Sequence, residues 1–305
     1  MRHLLFFLLF TLVLSCNEEN PSIQSLSPKE LTSELEDFGE KLFFDNRLSL
    51  NNTVSCSSCH KPNLAFADTV AISPGVEGRL GFRNAPSLLN VGAKPVLMLD
   101  GAVPNLEMQA IVPIQDHNEM SIPMGDLIAK LRNIKQYNDL SHRLFNRDID
   151  AFVVTRALAA YERTLISRES LFDKYIKDPD NYPLTDGEQR GWSLFKEKRC
   201  VECHSLPDFT NYNVSVTGFD LDSNDLGRFR ITADSSDIGK FVVPSLRNVS
   251  LTKPYLHNGS VGTIEEVVLL HYNKIDLQTG DTYPLLSQYD ADFIVRFLTS
   301  LESTK

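Results

Sequence analysis

The sequence predicts a mostly α-helical protein made of two related units joined in series, with long irregular loops between the helices. Three observations carry this expectation. A block consisting of a capped helix start, a Gly-x-x-Leu-Phe step and a Cys-x-x-Cys-His run occurs twice in the chain. Apolar residues recur at helical spacing in the longest patterned stretches, and no stretch alternates in the manner of a strand. The 305 residues, 42% of them hydrophobic, suffice for two ordinary cores.

The first segment stands outside this fold. Met1-Arg2-His3 is a short basic start, and the apolar run Leu4 to Leu14 is too short to span a bilayer comfortably, so residues 1–15 read as a signal peptide. The run closes on Leu12-Val13-Leu14-Ser15-Cys16, an arrangement resembling the lipobox of bacterial lipoproteins, which makes Cys16 a lipidation site. Residues 16–27, polar from Asn17 onward, then form a tether. The chain is expected to face the periplasm, held to a bacterial membrane by its lipid alone.

The first unit, residues 28–180, opens with Ser27-Pro28-Lys29-Glu30: a capping residue, a first-turn proline and a glutamate three positions on. Leu31, Leu35, Phe38, Leu42 and Phe43 then share one helical face. Ile149 to Leu165 is a second amphipathic helix. The breaker run Asp178-Pro179-Asp180-Asn181-Tyr182-Pro183 marks the expected boundary. The second unit, residues 181–305, repeats the opening: Thr185-Asp186-Gly187-Glu188 is a capping box, and Gly191-Trp192-Ser193-Leu194-Phe195 echoes Gly39-Glu40-Lys41-Leu42-Phe43. Thr263-Ile264-Glu265-Glu266 starts a further capped helix that carries His271, and Tyr289 to Leu301 fits a closing helix.

Cys56-Ser57-Ser58-Cys59-His60 and Cys200-Val201-Glu202-Cys203-His204 are two complete c-type haem attachment signatures. Both thiols of each can form thioethers with haem vinyl groups, and the adjacent histidine reaches the iron. A zinc site or a redox Cys-x-x-Cys is the ordinary alternative. Two signatures inside an internal repeat, in an exported chain, argue against it. The five cysteines are consumed by these four positions and Cys16, so no disulfide framework remains. The fold class is therefore mostly α with two cytochrome c-like domains, each binding one haem c covalently, and long loops at their interface. The net charge of -10 argues against nucleic acid and against a basic membrane-binding face.

The sixth iron ligands divide the two haems. No methionine follows the second signature, which leaves His257, His271, Tyr272 and Tyr255 as candidates, with His271 favoured. The stretch from Lys61 to Asp116 contains no histidine, so the first haem is expected to be open or capped by water.

The chain resembles the bacterial di-haem cytochrome c peroxidases, including the MauG-type enzymes, over essentially its whole mature length. The resemblance rests on Leu42-Phe43-Phe44-Asp45-Asn46-Arg47-Leu48-Ser49, Arg83-Asn84-Ala85-Pro86-Ser87-Leu88-Leu89-Asn90, Leu99-Asp100-Gly101, Gln109-Ala110, Pro113-Ile114 and Glu119-Met120. In the second half it rests on Ala159-Ala160-Tyr161-Glu162-Arg163-Thr164, Val243-Pro244-Ser245-Leu246-Arg247-Asn248-Val249 and Thr252-Lys253-Pro254-Tyr255-Leu256-His257-Asn258-Gly259.

The resemblance implies that His60 and His204 are proximal ligands. It places Gln109 and Glu119 in the distal pocket of the first haem, where a carboxylate can move a proton between peroxide oxygens. His117, two residues earlier, is a second acid-base candidate or a surface loop histidine. A calcium ion between the units, on Asn84, Thr252 and Pro254, is also implied. The position that carries methionine or tyrosine in the family is His271 here, which implies bis-histidine ligation of the second haem and a lower potential. Val70 to Phe82 lacks the family's capping histidine, and Leu99 stands where the family has a tryptophan between the haems.

The expected activity is reduction of hydrogen peroxide to water with electrons from a small redox protein such as a cytochrome c. The alternatives are a MauG-like oxidase that modifies a partner protein and a non-enzymatic electron-transfer cytochrome. The oligomeric state stays open, with a homodimer among the possibilities.

Overall fold

In a computed structural model, residues 28–216, 225–272 and 286–303 are described. The expected signal peptide, the tether and Cys16 lie outside the described residues. Among those described, no helix is long and apolar enough to cross a membrane.

The chain runs through α1 (Pro28–Phe43), the short α2 (Cys56–Cys59), α3 (Leu106–Gln109) and α4 (Ile111–Gln115), then α5 (Met124–Arg132), α6 (Lys135–Phe145) and α7 (Ala151–Arg163). After α8 (Leu171–Lys177) and α9 (Asp186–Glu197), strand β1 (Val214–Val216) precedes α10 (Phe229–Thr232) and strand β2 (Lys240–Val242). Helices α11 (Ile264–Tyr272) and α12 (Gln288–Thr299) close the described chain. The strands pair antiparallel with Ser215 opposite Phe241, a small ribbon in an otherwise helical and loop-built molecule.

The expected helices form where their end signals lie. Asp150 caps α7 by accepting from the Val153 amide, and Thr185 and Glu188 cap α9 reciprocally. The repeated glycine has a packing reason. A Cβ on Gly39 would sit 1.9 Å from the Ala157 carbonyl oxygen of α7, and one on Gly191 would sit 1.9 Å from the Phe293 carbonyl oxygen of α12. Only glycine lets α1 lie this close on α7, and α9 on α12.

Two clusters of buried side chains result. The first runs from Phe38 to Leu165 and is centred on the α1–α7 pair. The second runs from Phe172 to Leu301 around the α9–α12 pair, where Phe172, Trp192, Phe195, Phe209 and Phe297 contact one another edge-on or tilted, with Trp192 stacked on Phe195. Phe172, ahead of the expected boundary at 180/181, packs in the second cluster. Its helix, α8, belongs with the second cluster, and the Phe172 amide donates to the Ser300 carbonyl at 3.1 Å. The change between clusters falls between Leu165 and Phe172, before the proline-rich breaker rather than at it.

The clusters share a second repeated device. Ser87 and Ser245 donate to the Ala65 and Asp208 carbonyls, each at 2.6 Å. Asn90 and Asn248 both adopt φ 57°, a left-handed conformation that asparagine tolerates. Their amides donate to the Leu165 and Leu301 carbonyls. Across the interface the exchange is reciprocal: the Asn84 amide donates to the His257 carbonyl at 2.7 Å, and the Val242 amide to the Leu99 carbonyl at 2.8 Å. Arg83 joins the two sides through Asp100 at 2.7 Å and a bidentate pair with the nearly inaccessible Asp225 at 2.7 and 2.9 Å.

Candidate active site

Each Cys-x-x-Cys-His run forms one short helical turn that ends on its histidine, whose amide closes onto the first cysteine carbonyl at 2.9 Å. This puts both thiols and the imidazole on one wall. The His60 Nδ1 lies 3.0 Å from the Phe66 carbonyl. The His204 Nδ1 lies 3.1 Å from the Phe209 and Pro244 carbonyls. Such bonds fix the tautomer and aim the other ring nitrogen, Nε2, away from the backbone, as a metal-ligating histidine requires. Burial holds both imidazoles below the usual histidine range, His204 down to about 4, so they are neutral donors at physiological pH. The donor sets fit two haems.

Around the first signature the structure brings Glu119 toward the attachment turn, while Gln109 packs on Met98. Glu119 stands in the loop after α4 with part of its surface open to solvent, and desolvation by its surroundings, reinforced by Asp116, pushes its carboxyl up to about 7. Its charge acts on the thiols of both Cys56 and Cys59, so it faces the attachment helix. Gln109, at the end of α3, directs its amide nitrogen at the Met98 sulfur 4.0 Å away. Lys94 reaches the same region: burial lowers its ammonium to about 8, and its charge depresses His60. An enclosed cation suits a cofactor that carries carboxylates.

His117 does not join this group. Its ring is exposed and accepts from the Arg79 guanidinium at 2.8 Å. The same guanidinium also holds the His117 carbonyl and Ser121.

Around the second signature the structure brings His204 and His271 together. After burial, the charge of His271 is the main influence depressing His204. His271 keeps its Nδ1 2.9 Å from the Val267 carbonyl, one turn back on α11. His257 is instead stacked flat on Phe241, ring centroids 4.5 Å apart, and the Tyr255 hydroxyl donates to the Val249 carbonyl. Asn84 turns its amide nitrogen to the Val70 and Ala71 carbonyls, and the Thr252 hydroxyl donates to the Val249 carbonyl, followed by a cis bond into Pro254. Leu99 lies on the interface through its carbonyl, as described above.

Sequence reasoning missed Lys94 and the burial of Glu162. Glu162 is only 6% exposed, its Oε2 has no hydrogen-bond partner among the described residues, and burial pushes its carboxyl up to about 8. Its position on the apolar face of α7 was the available signal.

Comparison with known proteins identifies the family. Residues 33–181 match the family described as di-haem cytochrome c peroxidase. The chain is 31% identical to cytochrome c551 peroxidase of Nitrosomonas europaea over 261 residues, covering 84% of this chain and 77% of that protein. It is 32% identical to the methylamine utilization protein MauG of Methylophilus methylotrophus, covering 92% and 86%. A crystal structure of a MauG-like protein associated with microbial copper homeostasis superposes with a TM-score of 0.77 at 31% identity, covering 88% of this chain and 89% of that one. With paired attachment turns, carbonyl-held histidines and relatives matched along most of its length, the chain belongs to the di-haem cytochrome c peroxidases, a family of oxidoreductases whose name implies two haem groups.

Proposed function

We propose that this protein reduces hydrogen peroxide to water at its first haem, using electrons delivered through its second haem from a small cytochrome c-like donor. The observation that carries the reading is the contrast at the two attachment turns: the Glu119 carboxylate acts on Cys56 and Cys59 of the first, whereas a second histidine acts on His204 of the second.

In this reading Cys56, Cys59 and His60 hold the first haem, and Cys200, Cys203, His204 and His271 hold the second. The haem irons would supply the electron-transfer chemistry that cleaves the O–O bond. Glu119, balanced near neutrality between its two forms, takes the proton from one peroxide oxygen and returns it to the other. The Gln109 amide orients the peroxide by donating a hydrogen bond. His271 would be the second ligand holding the iron of the second haem, which would restrict that centre to electron transfer. The two cytochrome c-like domains meet at the Arg83 and Asn84 contacts, beside which Asn84, Thr252 and Pro254 would hold a calcium ion. Cys16 would carry the lipid that keeps the protein in the periplasm at a membrane.

The test is peroxide-dependent oxidation of a reduced cytochrome c by protein loaded with both haems. Oxidation by the parent and its loss in Glu119→Gln support the reading; an inert parent contradicts it. Similarity to MauG proteins leaves one second reading, oxidation of a partner protein. Leu99 favours the peroxidase, because it offers no aromatic ring on the interface for electrons drawn from a protein surface.

A further inference from the structure

The two halves of the fold act as controls for each other at one position. Gly39 packs on Ala157 and Tyr161, and Gly191 packs on Phe293 and Phe297. Asn90 binds the Leu165 carbonyl, and Asn248 binds the Leu301 carbonyl. These matches align α7 with α12 residue for residue, and they place Glu162 opposite Leu298. Leu298 is 3% exposed within the second cluster. The site therefore accepts leucine, and the fold does not need a carboxyl there. A buried carboxyl without a partner opposes folding. Its presence in the peroxide-facing unit alone calls for a chemical reason.

Its neighbours supply one. Glu162 is the side chain whose charge acts most strongly on Cys56, and Glu119 acts on the same thiol, so the two carboxyls flank one attachment cysteine. Outward, Glu162 feels Arg163 on its own helix and Glu107 on α3. Arg163 and Glu107 pair at 2.9 Å and reach solvent, with side chains 48% and 26% exposed. Helix α3 also carries Gln109. The remaining titratable neighbour is Tyr161, which faces Glu40 of α1.

We propose that Glu162 carries protons from the Glu107–Arg163 surface pair into the reaction pocket that holds Glu119 and Gln109. The inference rests on the peroxidase reading. Reducing one peroxide consumes two electrons, from two molecules of a one-electron donor protein, and two protons: H2O2 + 2 H+ + 2 e− gives two waters. Glu119 only moves a proton between the two peroxide oxygens, so the consumed pair must come from solvent. Glu162, protonated near neutral pH, releases a proton inward and regains one from the surface side.

The test uses protein carrying both haems, as the parent, Glu162→Gln and Glu162→Leu. Donor oxidation is followed against pH in H2O and D2O, together with the infrared difference spectrum between resting and peroxide-treated protein. The parent should lose rate as pH rises through about 8, should show a solvent isotope effect, and should show a protonated-carboxyl band. Glu162→Gln should lose the band, the alkaline limb and the isotope effect, with turnover reduced roughly 10²-fold. Its reaction with peroxide before donor addition should keep the parent rate. Glu162→Leu, if it unfolds at or above the parent temperature, removes misfolding as the cause. Retention of the limb, the isotope effect and the band in Glu162→Gln overturns the inference. A parent that does not oxidise the donor instead overturns the peroxidase reading.

Discussion

At the same place in two superposable helix pairs, the first unit buries Glu162 and the second buries Leu298. A similar asymmetry surrounds the two attachment histidines. Glu119 acts on the thiols beside His60, and His271 acts on His204. The scaffold is shared down to the glycine crossing, the serine lock and the left-handed asparagine, so the difference lies in what is hung on it. In the proposed reading, the duplicated fold separates proton chemistry in one unit from electron delivery in the other.

The comparison breaks first at Glu119. Glu119→Gln should lower turnover by roughly 10² to 10⁴, the range for a lost acid-base group, while the visible spectrum still reports both haems. The parent rate should rise with pH through about 7, where Glu119 gains its charge, and this limb should vanish in the variant.

The interface comes next. Arg83→Ala leaves Asp100 and Asp225 buried without their shared cation, and should cost about 3–5 kcal/mol of unfolding free energy by denaturant titration. Asp225→Asn should cost less, since Arg83 keeps Asp100.

Glu162→Leu copies the second unit into the first and should stabilise the fold by about 1–3 kcal/mol near neutral pH. The sign follows from the raised pKa: the folded state holds the proton up to about 8, whereas an unfolded glutamate releases it near its ordinary value of 4.5. The parent therefore loses stability as pH rises between those values, and the margin of the variant should widen over that window. A margin independent of pH would mean that Glu162 finds a charge partner in the loaded protein.

The smallest expected effect is on the second haem. His271→Met should raise its potential, measured by spectroelectrochemistry, and leave the absorption of the first haem unchanged.

Much of this was legible in the residues. Capping boxes and helical periodicity located α1, α7, α9 and α12, because their signals are local and strong. The attachment turns are written within five residues each. The Asp-Pro-rich run at 178–183 is a louder local signal than the quiet link after Leu165, and only the tertiary packing of Phe172 shows which cluster α8 joins. The Arg83–Asp225 pair spans 142 residues and leaves no local trace. Glu162 sat inside a recognised motif, yet its role depends on burial and on the contrast with Leu298, which the repeat reveals only once the helices are superposed. The Gln109–Met98 contact and the approach of Glu119 to the first attachment turn likewise bring together residues far apart in the chain, so no spacing rule could assemble them.

The claim that the two units are unequal is tested most directly by the spin state of the oxidised protein carrying both haems, read by electron paramagnetic resonance. The account predicts one high-spin haem, open beside Glu119 and Gln109, and one low-spin haem closed by His204 and His271. Peroxide should alter the high-spin signal first. Two low-spin haems that remain unchanged on adding peroxide, before and after reduction, would contradict it.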